Sequence, residues 1–216
     1  MTIDGPAGAG KSTAAHALAK RLGFDFLDTG AMYRAVTLAA LRAGVSPRDD
    51  AALATLLESL DVVVSHGKTT INGEDVSTDI RTVEVTDQVR HFADHGLVRN
   101  RLTAMQRKLG ETENLVTEGR DQGTVVFPHA EIKLYLTASE EVRAQRRRDE
   151  YLRRGRNVPL ETVLDEQRAR DDQDSNRSLA PLKPADDARI IDTSNLDHQG
   201  TVDLLERLVR EVMASS

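Results

Sequence analysis

Residues near the N-terminus have the types and the spacing of a phosphate-binding loop. Gly5, Gly10, Lys11 and Ser12 in "DGPAGAGKST" fit the pattern Gly-x-x-x-x-Gly-Lys-[Ser/Thr], whose backbone N–H groups surround the phosphates of a nucleotide. The lysine of this pattern reaches the β- and γ-phosphates, and the serine hydroxyl binds Mg²⁺. The loop therefore predicts a bound nucleoside triphosphate, and it leaves open whether the γ-phosphate is hydrolysed or transferred.

The flanks of this loop are those that the motif requires. The sequence predicts an apolar strand over Thr2–Asp4 and an Ala-rich helix over Lys11–Leu22, and a phosphate-binding loop joins such a strand to such a helix. A first strand of three residues is short for the centre of a sheet. We expect either that three residues pair sufficiently or that the natural chain begins earlier.

A second segment, "FLDTGAMYR", ends a predicted strand with polar residues and continues into a predicted helix. Ligands of α/β proteins bind at such strand ends, which makes Thr29, Tyr33 and Arg34 candidate binding residues. Arg34 suits a phosphate because its guanidinium matches two oxygens at once. The alternative is that Thr29 only caps the helix and that Arg34 lies on the surface.

A third segment, "VTEGRDQGTVVFP", ends another apolar strand with Glu118, Arg120 and Asp121. At the carboxyl end of the same sheet, Arg120 and Asp121 are expected to face the crevice that holds the nucleotide phosphates. A surface turn is the alternative, but an apolar run such as "TVVFP" rarely follows a surface turn.

An arginine cluster comes later in the chain. Residues 142–158 contain seven arginines and two acidic residues, in a chain of net charge −6. A solvated helix with i,i+4 pairs accounts for some of them, such as Arg143 and Arg153. For others, including Arg146 and Arg147, we favour a mobile flap that closes over polyphosphate, with Gly155 as its break. The acidic balance of the chain disfavours nucleic acid as the partner.

Two metal-like patterns are rejected. The run "DDQDSN" has the spacing of a calcium loop, but Arg177 and Lys183 stand where that loop needs Gly and Glu. His91 and His95 lack the Glu of a zinc-protease helix, so surface or packing roles are expected for them. Mg²⁺ at Ser12 is the metal that the sequence predicts.

The number of candidate cations bears on the reaction. Lys11, Arg34, Arg120 and several later arginines are too many for one triphosphate, so we expect two phosphate-bearing ligands. A phosphate acceptor is already ionised and needs no general base, so positioning and charge neutralisation do the work. A flap also excludes water from the γ-phosphoryl group. The Asn-Lys-x-Asp element of switch GTPases is absent from the sequence, which favours transfer.

Composition limits the remaining classes of protein. The 216 residues include 35 acidic and 29 basic side chains and no cysteine or tryptophan. Disulfides, thiolate metal sites and a cysteine nucleophile are therefore excluded, and general nucleic-acid binding is disfavoured. Because the sequence has neither an apolar run of about 18 residues nor a signal-like segment, we expect a cytoplasmic protein.

The predicted elements alternate between strands and helices, which indicates a parallel sheet covered by helices. Strands are predicted at residues 2–4, 24–27, 115–117, 132–137 and 189–192, and helices at 11–22, 31–43, 50–60, 97–109, 140–154, 160–170 and 201–212. Residues 62–94 break this alternation. Their segment "VVVSHGKTTINGEDVS" predicts a hairpin or meander within an insertion.

Five ordered segments resemble the bacterial cytidylate kinases, which are nucleoside monophosphate kinases. They are "TIDGPAGAGKST", "FLDTGAMYRAVTLAAL", "GEDVSTDIRT", "EGRDQGTVVFPHAEIKLYLTAS" and "RDDQDSNRSLAPLKPADDARIIDTS". The resemblance implies an α/β, three-layer P-loop kinase fold with a central five-stranded parallel sheet, an inserted monophosphate-binding subdomain and a short lid. It places the core in residues 1–61 and 97–216, the insert in 62–96 and the lid at about 146–158.

The resemblance also implies a reaction, the transfer of the γ-phosphoryl group from ATP·Mg²⁺ to CMP or dCMP. It implies a monomer, and we expect no nucleic-acid or membrane partner. One alternative is a kinase for another small acceptor such as UMP, AMP or shikimate. The other alternative, from a different class, is an RNA-associated ATP-binding module that uses the arginine cluster.

Together with the residues argued above, the resemblance gives the candidate sites. The ATP-binding residues are Gly5, Pro6, Ala7, Gly8, Ala9, Gly10, Lys11, Ser12 and Thr13, with Ser12 at the metal. The acceptor-binding residues are Thr29, Tyr33, Arg34, Arg99, Arg120, Asp121, Arg170, Asp174 and Arg177. The catalytic cations are Lys11, Arg34, Arg120, Arg146, Arg147 and Arg177.

Two of these residues are expected to determine the specificity for the base of the acceptor nucleotide. Arg99 and Asp121 can present a donor and an acceptor to the amino-pyrimidine edge. Arg90 stands where the family commonly has a small Ser near the cytosine, so the resemblance leaves that base contact without its usual residue.

Overall fold

The computed structural model of the chain describes residues 1–65, 67–153 and 155–214. Its strands are β1 Thr2–Asp4, β2 Asp25–Asp28, β3 Val62–Ser65, β4 Lys68–Ile71, β5 Glu74–Asp75, β6 Leu115–Gly119, β7 Lys133–Thr137 and β8 Arg189–Asp192. Its α-helices are α1 Lys11–Leu22, α2 Thr29–Arg42, α3 Asp50–Ser59, α4 Val83–Ala93, α5 Gly96–Gly110, α6 Glu140–Arg153, α7 Leu160–Asn176 and α8 His198–Met213. A 3-10 turn at Asp79–Arg81 and a π-helical turn at Gln122–Val126 are also present.

The larger sheet has five parallel strands in the order β2-β6-β1-β7-β8. Its central strand is β1, in which Thr2, Ile3 and Asp4 each align with a residue of β6 and a residue of β7. The three-residue first strand is therefore buried and paired on both sides over its whole length. β3, β4 and β5 form a separate antiparallel sheet. These two sheets confirm the predicted α/β fold class and the predicted meander.

Two compact units make up the chain. One, here called the loop unit, contains Met1–Asp25 and Val116–Ser216, and the other, the insert unit, contains Phe26–Leu115. The insert predicted from the sequence, residues 62–96, lies inside the insert unit, which also holds α2, α3 and α5. That residues 62–96 bind a nucleoside monophosphate remains a prediction.

The insert unit has its own apolar core. Met32 of α2, Leu53 of α3 and Ile80 of the 3-10 turn are fully buried in it. The helix α4, which the sequence did not predict, adds Phe92 to this core. Its N-terminus is capped by Thr82, whose hydroxyl accepts the N–H of Val85 at 3.4 Å. The alternating apolar and polar residues of "VEVTDQV" concealed the helical period.

In the loop unit, α1 packs on the C-terminal helix α8. Leu18 of α1 and Leu205 and Val209 of α8 are fully buried, as the predicted apolar stripe of the last helix requires. The helix α7 continues to Asn176 instead of ending at residue 170. In the described part of the chain, no helix has both the length and the hydropathy that spanning a bilayer needs.

Candidate functional site

The phosphate-binding loop joins β1 to α1 through backbone conformations that favour glycine. Gly5, Gly8 and Gly10 have φ angles of 143°, 79° and 86°, which side chains with a Cβ rarely adopt. A Cβ on Gly5 would lie 1.9 Å from the carbonyl oxygen of Leu136, and one on Gly8 would lie 3.0 Å from Arg143. The loop is thus held closely against β7 and α6, and only glycine fits at these two positions.

Lys11 and Ser12 begin α1 directly after this loop. The ammonium of Lys11 donates to the carbonyl of Pro6 at 2.7 Å, so the side chain curls over its own loop. Burial lowers the pKa of Lys11, Arg120 lowers it further, and Glu118 opposes both effects. The hydroxyl of Ser12 donates to a carboxylate oxygen of Glu118 at 2.9 Å. Glu118 at the end of β6 therefore interacts with both Lys11 and Ser12, which directly follow the phosphate-binding loop, here also called the donor loop.

Arg120 follows β6 and is held by α7. Its Nε donates to Asp174 at 2.9 Å, and its Nη1 donates to the carbonyl of Gly119 at 3.3 Å. Burial raises the pKa of Asp174, but the charge and the hydrogen bond of Arg120, together with the charges of Arg170 and Arg177, hold that pKa below its ordinary value. The pair is therefore ionised at neutral pH, with each partner fixing the other.

Two further arginines of the predicted acceptor site lie at this pair. Arg177 has its Nη1 4.0 Å from Asp174, and its Nε donates to the carbonyl of Ala180 at 2.6 Å. Arg170 is exposed on α7, where its charge lowers the pKa of both Lys11 and Asp174. The structure thus brings together the acceptor-site residues that the sequence predicted in the loop unit.

Asp121 is buried next to Arg120 and directly precedes the π-helical turn. It is 3% exposed, and its carbonyl accepts the N–H groups of Val125 at 2.9 Å and Val126 at 3.2 Å. The apolar run "TVVFP" after it belongs largely to this turn, so the segment is not the surface turn that was the alternative interpretation.

The predicted lid begins inside a helix, since α6 continues to Arg153. Arg146 donates to the hydroxyl of Thr193 at 3.0 Å, to the carbonyl of the same residue at 2.7 Å and to that of Leu196 at 3.2 Å. Arg147 stacks on the ring of Tyr151 at 4.7 Å. Both guanidinium groups therefore contact protein groups. Arg154 lies outside the described residues.

Arg143 is not the solvated helix residue that the sequence predicted. It is 5% exposed, and its Nε donates to the carbonyl of Ala138 at 3.0 Å. Its Nη1 donates to the carbonyl of Ala7 in the phosphate-binding loop at 3.1 Å and also binds Asp171 of α7. Arg143 therefore ties that loop to α7. Its place in the first turn of α6, just after a sheet strand, was the available signal.

In the insert unit, Thr29 is the first residue of α2 and is 3% exposed. The capping residue is Asp28, whose carboxylate accepts the N–H of Ala31 at 2.9 Å, so the alternative that Thr29 caps this helix is wrong. Arg34 donates to the hydroxyl of Thr86 at 2.9 Å. It is half-buried rather than a surface residue.

Arg99 and Tyr33 lie together in the same unit. Arg99 is 6% exposed, its Nη1 donates to the carbonyl of Ala93 at 3.1 Å, and its guanidinium lies 5.8 Å from the ring centre of Tyr33. Arg90 is exposed in the last turn of α4. Four of the predicted acceptor residues therefore belong to the insert unit, namely Thr29, Tyr33, Arg34 and Arg99.

The rejected metal patterns have other roles. His95 caps α5 by accepting the N–H of Leu97 at 3.3 Å, and its Nε2 lies 3.2 Å from Asp50. The run "DDQDSN" is part of α7. Over residues 1–65, 67–153 and 155–214, no cluster of three or more His, Cys, Asp or Glu side chains could hold a metal ion.

Comparisons with known proteins show the family of the chain. A profile described as "Cytidylate kinase" matches residues 1–212. The chain is 46% identical over 203 residues to the cytidylate kinase of Burkholderia ambifaria, covering 94% of this chain and 89% of the relative. It is 46% identical over 218 residues to that of Geobacter sp. strain M21, covering 99% of this chain and 94% of the relative.

A fused relative and a solved structure extend the comparison. A bifunctional pantoate ligase/cytidylate kinase of Synechococcus sp. is 47% identical over 220 residues, which are 99% of this chain and 46% of that protein. A crystal structure of an uncharacterized protein from Eubacterium ventriosum aligns over 97% of this chain and 96% of its own, with a TM-score of 0.53 and 14% identity, and shows a shared fold. The chain belongs to the cytidylate kinase family of ATP-dependent nucleoside monophosphate kinases, as its motifs predicted, and has the P-loop kinase fold.

Proposed function

We propose that this protein transfers the γ-phosphoryl group of ATP, with Mg²⁺, to CMP or dCMP, giving ADP and CDP or dCDP. One observation carries the proposal: a second set of cations, Arg120 and Arg177, surrounds Asp174 beside the donor loop that carries Lys11. Hydrolysis of a triphosphate does not need a second phosphate-binding set, whereas transfer to a phosphate acceptor does.

The donor loop fits ATP and its metal. The backbone of the loop approaches its neighbours so closely at Gly5 and Gly8 that a Cβ is excluded, which is the tight curvature that wraps phosphates. Ser12 is oriented by Glu118, and a serine hydroxyl that donates to a carboxylate keeps lone pairs for a cation. Mg²⁺, when bound, neutralises charge on the phosphate oxygens. In binding ATP, Lys11 exchanges its contact with Pro6 for phosphate oxygens.

Arg120 is proposed to bind the acceptor phosphate and to stabilise the transferring group. Its Nε is used by Asp174, and a guanidinium has five N–H donors, so further donors remain for phosphate oxygens. The acceptor phosphate is itself the nucleophile and is ionised at neutral pH. These residues therefore orient the two substrates and neutralise their charge, and no proton transfer to a side chain is needed.

The roles of the insert unit rest on the family resemblance. We propose that Thr29, Tyr33, Arg34 and Arg99 bind the nucleoside monophosphate, and that Arg99 and Asp121 distinguish cytosine from uracil. The monomeric state and the cytoplasmic location stay predictions. The RNA-associated alternative is not proposed, because Arg143 and Arg146 of the cluster bind backbone carbonyls of the protein itself.

The test is a coupled assay of ADP release with CMP, dCMP, UMP, AMP, GMP, dTMP and shikimate as acceptors. CMP and dCMP should each exceed the other acceptors by about tenfold or more in kcat/KM. The proposal fails if they are no better than the rest, or if ADP release does not depend on an acceptor. Asp121→Asn should reduce the preference for CMP over UMP. Asp197→Asn, at the exposed cap of α8, is the matched control and should keep that preference.

A further inference from the structure

A buried carboxylate of the central strand holds the turn that follows Arg120 and Asp121. Asp4 is 4% exposed. Its Oδ1 accepts the N–H of Gln122 at 2.9 Å, and its Oδ2 accepts the N–H of Gly123 at 2.7 Å. One side chain of β1 thus binds the first two residues of the π-helical turn with both oxygens.

Residues of β6 and β1 also contact this turn. The hydroxyl of Thr117 on β6 donates to the side-chain oxygen of Gln122 at 2.8 Å. A Cβ on Gly123 would lie 3.0 Å from the hydroxyl oxygen of Thr2 and 3.4 Å from Asp4. The turn therefore packs directly on β1 and β6, and a residue larger than glycine at position 123 would displace it from these strands.

We propose that Asp4 is a positioning residue for the acceptor side of the reaction. By holding the N–H groups of Gln122 and Gly123, it fixes the backbone that carries Arg120 and Asp121. Asp4 is followed directly by Gly5, where the donor loop begins. The same residue therefore ends the strand that leads into the ATP loop and anchors the segment proposed to bind the acceptor. The acceptor part of this inference rests on the proposed function.

The charge of Asp4 is sensitive to pH. The pKa of Asp4 is raised to about 6, chiefly by burial and further by the charge of Asp121, against the opposing effects of the N–H bonds from Gly123 and Gln122 and the charge of Lys11. On β7, Tyr135 aligns with Asp4, and Lys133 packs at Gly123. Protonation replaces one acceptor oxygen by a hydroxyl, which accepts an N–H more weakly. The hold on the turn should therefore weaken as the pH falls through about 6.

The first experiment observes the hydrogen bond between Asp4 and the N–H of Gly123 without any substrate. In native protein, the amide proton shift of Gly123, measured by NMR, should titrate with a midpoint near 6, the raised pKa of Asp4. In Asp4→Asn the same shift should not titrate. An amide shift of Gly123 that is independent of pH in the native protein would contradict the proposal. Because no substrate is involved, this result is separate from the success or failure of the proposed function.

The second experiment measures the acceptor. In Asp4→Asn the side-chain NH₂ meets a backbone N–H, so the KM for CMP should rise about tenfold while the KM for ATP changes less than about twofold. The matched control is Asp197→Asn, since the carboxylate of Asp197 also accepts a backbone N–H, from Gly200 at 2.7 Å, in an exposed helix cap. Asparagine caps a helix as well as aspartate does, so both KM values should stay unchanged in the control.

The third measurement separates the titration of Asp4 from that of the phosphate group of CMP. A phosphate monoester titrates near pH 6, so the KM for CMP is compared between native protein and Asp4→Asn at each pH. The native advantage should disappear below about pH 6. A ratio that is constant with pH, or an equal rise in the KM for ATP, would reduce Asp4 to a general structural role. If neither form uses CMP while the amide of Gly123 still titrates, the proposed function fails and the anchoring role of Asp4 stands.

Discussion

Arg120 of the loop unit and Arg34 of the insert unit are held by different kinds of partner. In the loop unit, Arg120 donates to the carboxylate of Asp174, and both side chains are largely buried. In the insert unit, Arg34 donates to the hydroxyl of Thr86. Removing one partner of a buried ion pair leaves an uncompensated charge, whereas a hydroxyl that loses its donor can rotate to another partner. Activity and stability should therefore be linked more strongly at Arg120 than at Arg34.

The largest effect is expected for Arg120→Ala. The kcat/KM for CMP should fall by about 10³-fold, because a cation at the transferring phosphoryl group is lost. The free energy of unfolding, measured by urea denaturation, should also fall by about 3 kcal/mol, because Asp174 is left buried and unpaired.

The double variant Arg120→Ala/Asp174→Ala is the control for this linkage. It removes both charges, so it should recover most of the stability without recovering activity. If Arg120→Ala is as stable as the native protein, the buried ion pair does not have the energetic role inferred here, and the contrast between the units disappears.

Arg34→Ala should lower the activity strongly and the stability only slightly. We expect kcat/KM to fall by about 10²-fold through a weaker hold on phosphate. The free energy of unfolding should fall by less than it does for Arg120→Ala, since the hydrogen bonds of Arg34 to the hydroxyl of Thr86 and the carbonyl of Ile80 leave no buried charge behind when the arginine is removed. A loss of stability as large as that of Arg120→Ala would show that the insert unit depends on its arginine in the same way.

Arg143→Met sharpens the comparison within the loop unit. Arg143 contacts the carbonyl of Ala7 in the donor loop, so the KM for ATP should rise about tenfold while the KM for CMP changes little. Arg153→Met is the matched control, because Arg153 lies on the same helix, is exposed and bonds only to the carbonyl of Asp149 among the contacts that the structure describes. Equal effects of the two substitutions would argue against an anchoring role for Arg143.

The last prediction concerns the pH dependence of stability, which reports on Asp4 of the strand β1 rather than on the arginines of either unit. The pKa of Asp4 is raised from 3.8 to about 6 in the folded protein, so the folded state binds this proton more tightly than the unfolded state does. The resulting stabilisation is complete below pH 3.8 and is lost as the pH rises through about 6. At about 1.4 kcal/mol per pKa unit, native protein should lose on the order of 3 kcal/mol relative to Asp4→Asn between pH 4 and pH 7.

Urea denaturation of both proteins at several pH values measures this difference. A stability difference between native protein and Asp4→Asn that is constant from pH 4 to pH 7 would contradict the raised pKa. The expected trend also implies that the ionised carboxylate at the turn is retained at a cost to stability at neutral pH.

Local patterns in the sequence were sufficient for much of the fold and part of the site. The phosphate-binding loop could be predicted because its glycines, Lys11 and Ser12 have a fixed spacing within one short segment. The positions of Arg120 and Asp121 followed from an apolar strand that ends in charged residues, since parallel strands place such ends at one edge of the sheet.

The remaining features depend on contacts between distant segments. Arg143 has the surroundings of an ordinary charged helix residue in the sequence, and its burial depends on contacts with Ala7 and Asp171, which are distant in the chain. Asp4 could be predicted as a strand residue, but not as the partner of Gln122 and Gly123. The extension of α7 likewise depends on the pairing of its acidic residues with Arg120 and Arg143.

Following the γ-phosphoryl group itself tests the central claim most directly. Native protein is incubated with Mg²⁺, CMP and ATP labelled at the γ-phosphorus, and the labelled products are separated. We expect the label in CDP, with little in inorganic phosphate, and we expect Arg120→Ala to abolish the transfer. Label that accumulates in inorganic phosphate at the same rate with and without CMP would contradict the account, because the protein would then hydrolyse ATP instead of phosphorylating an acceptor.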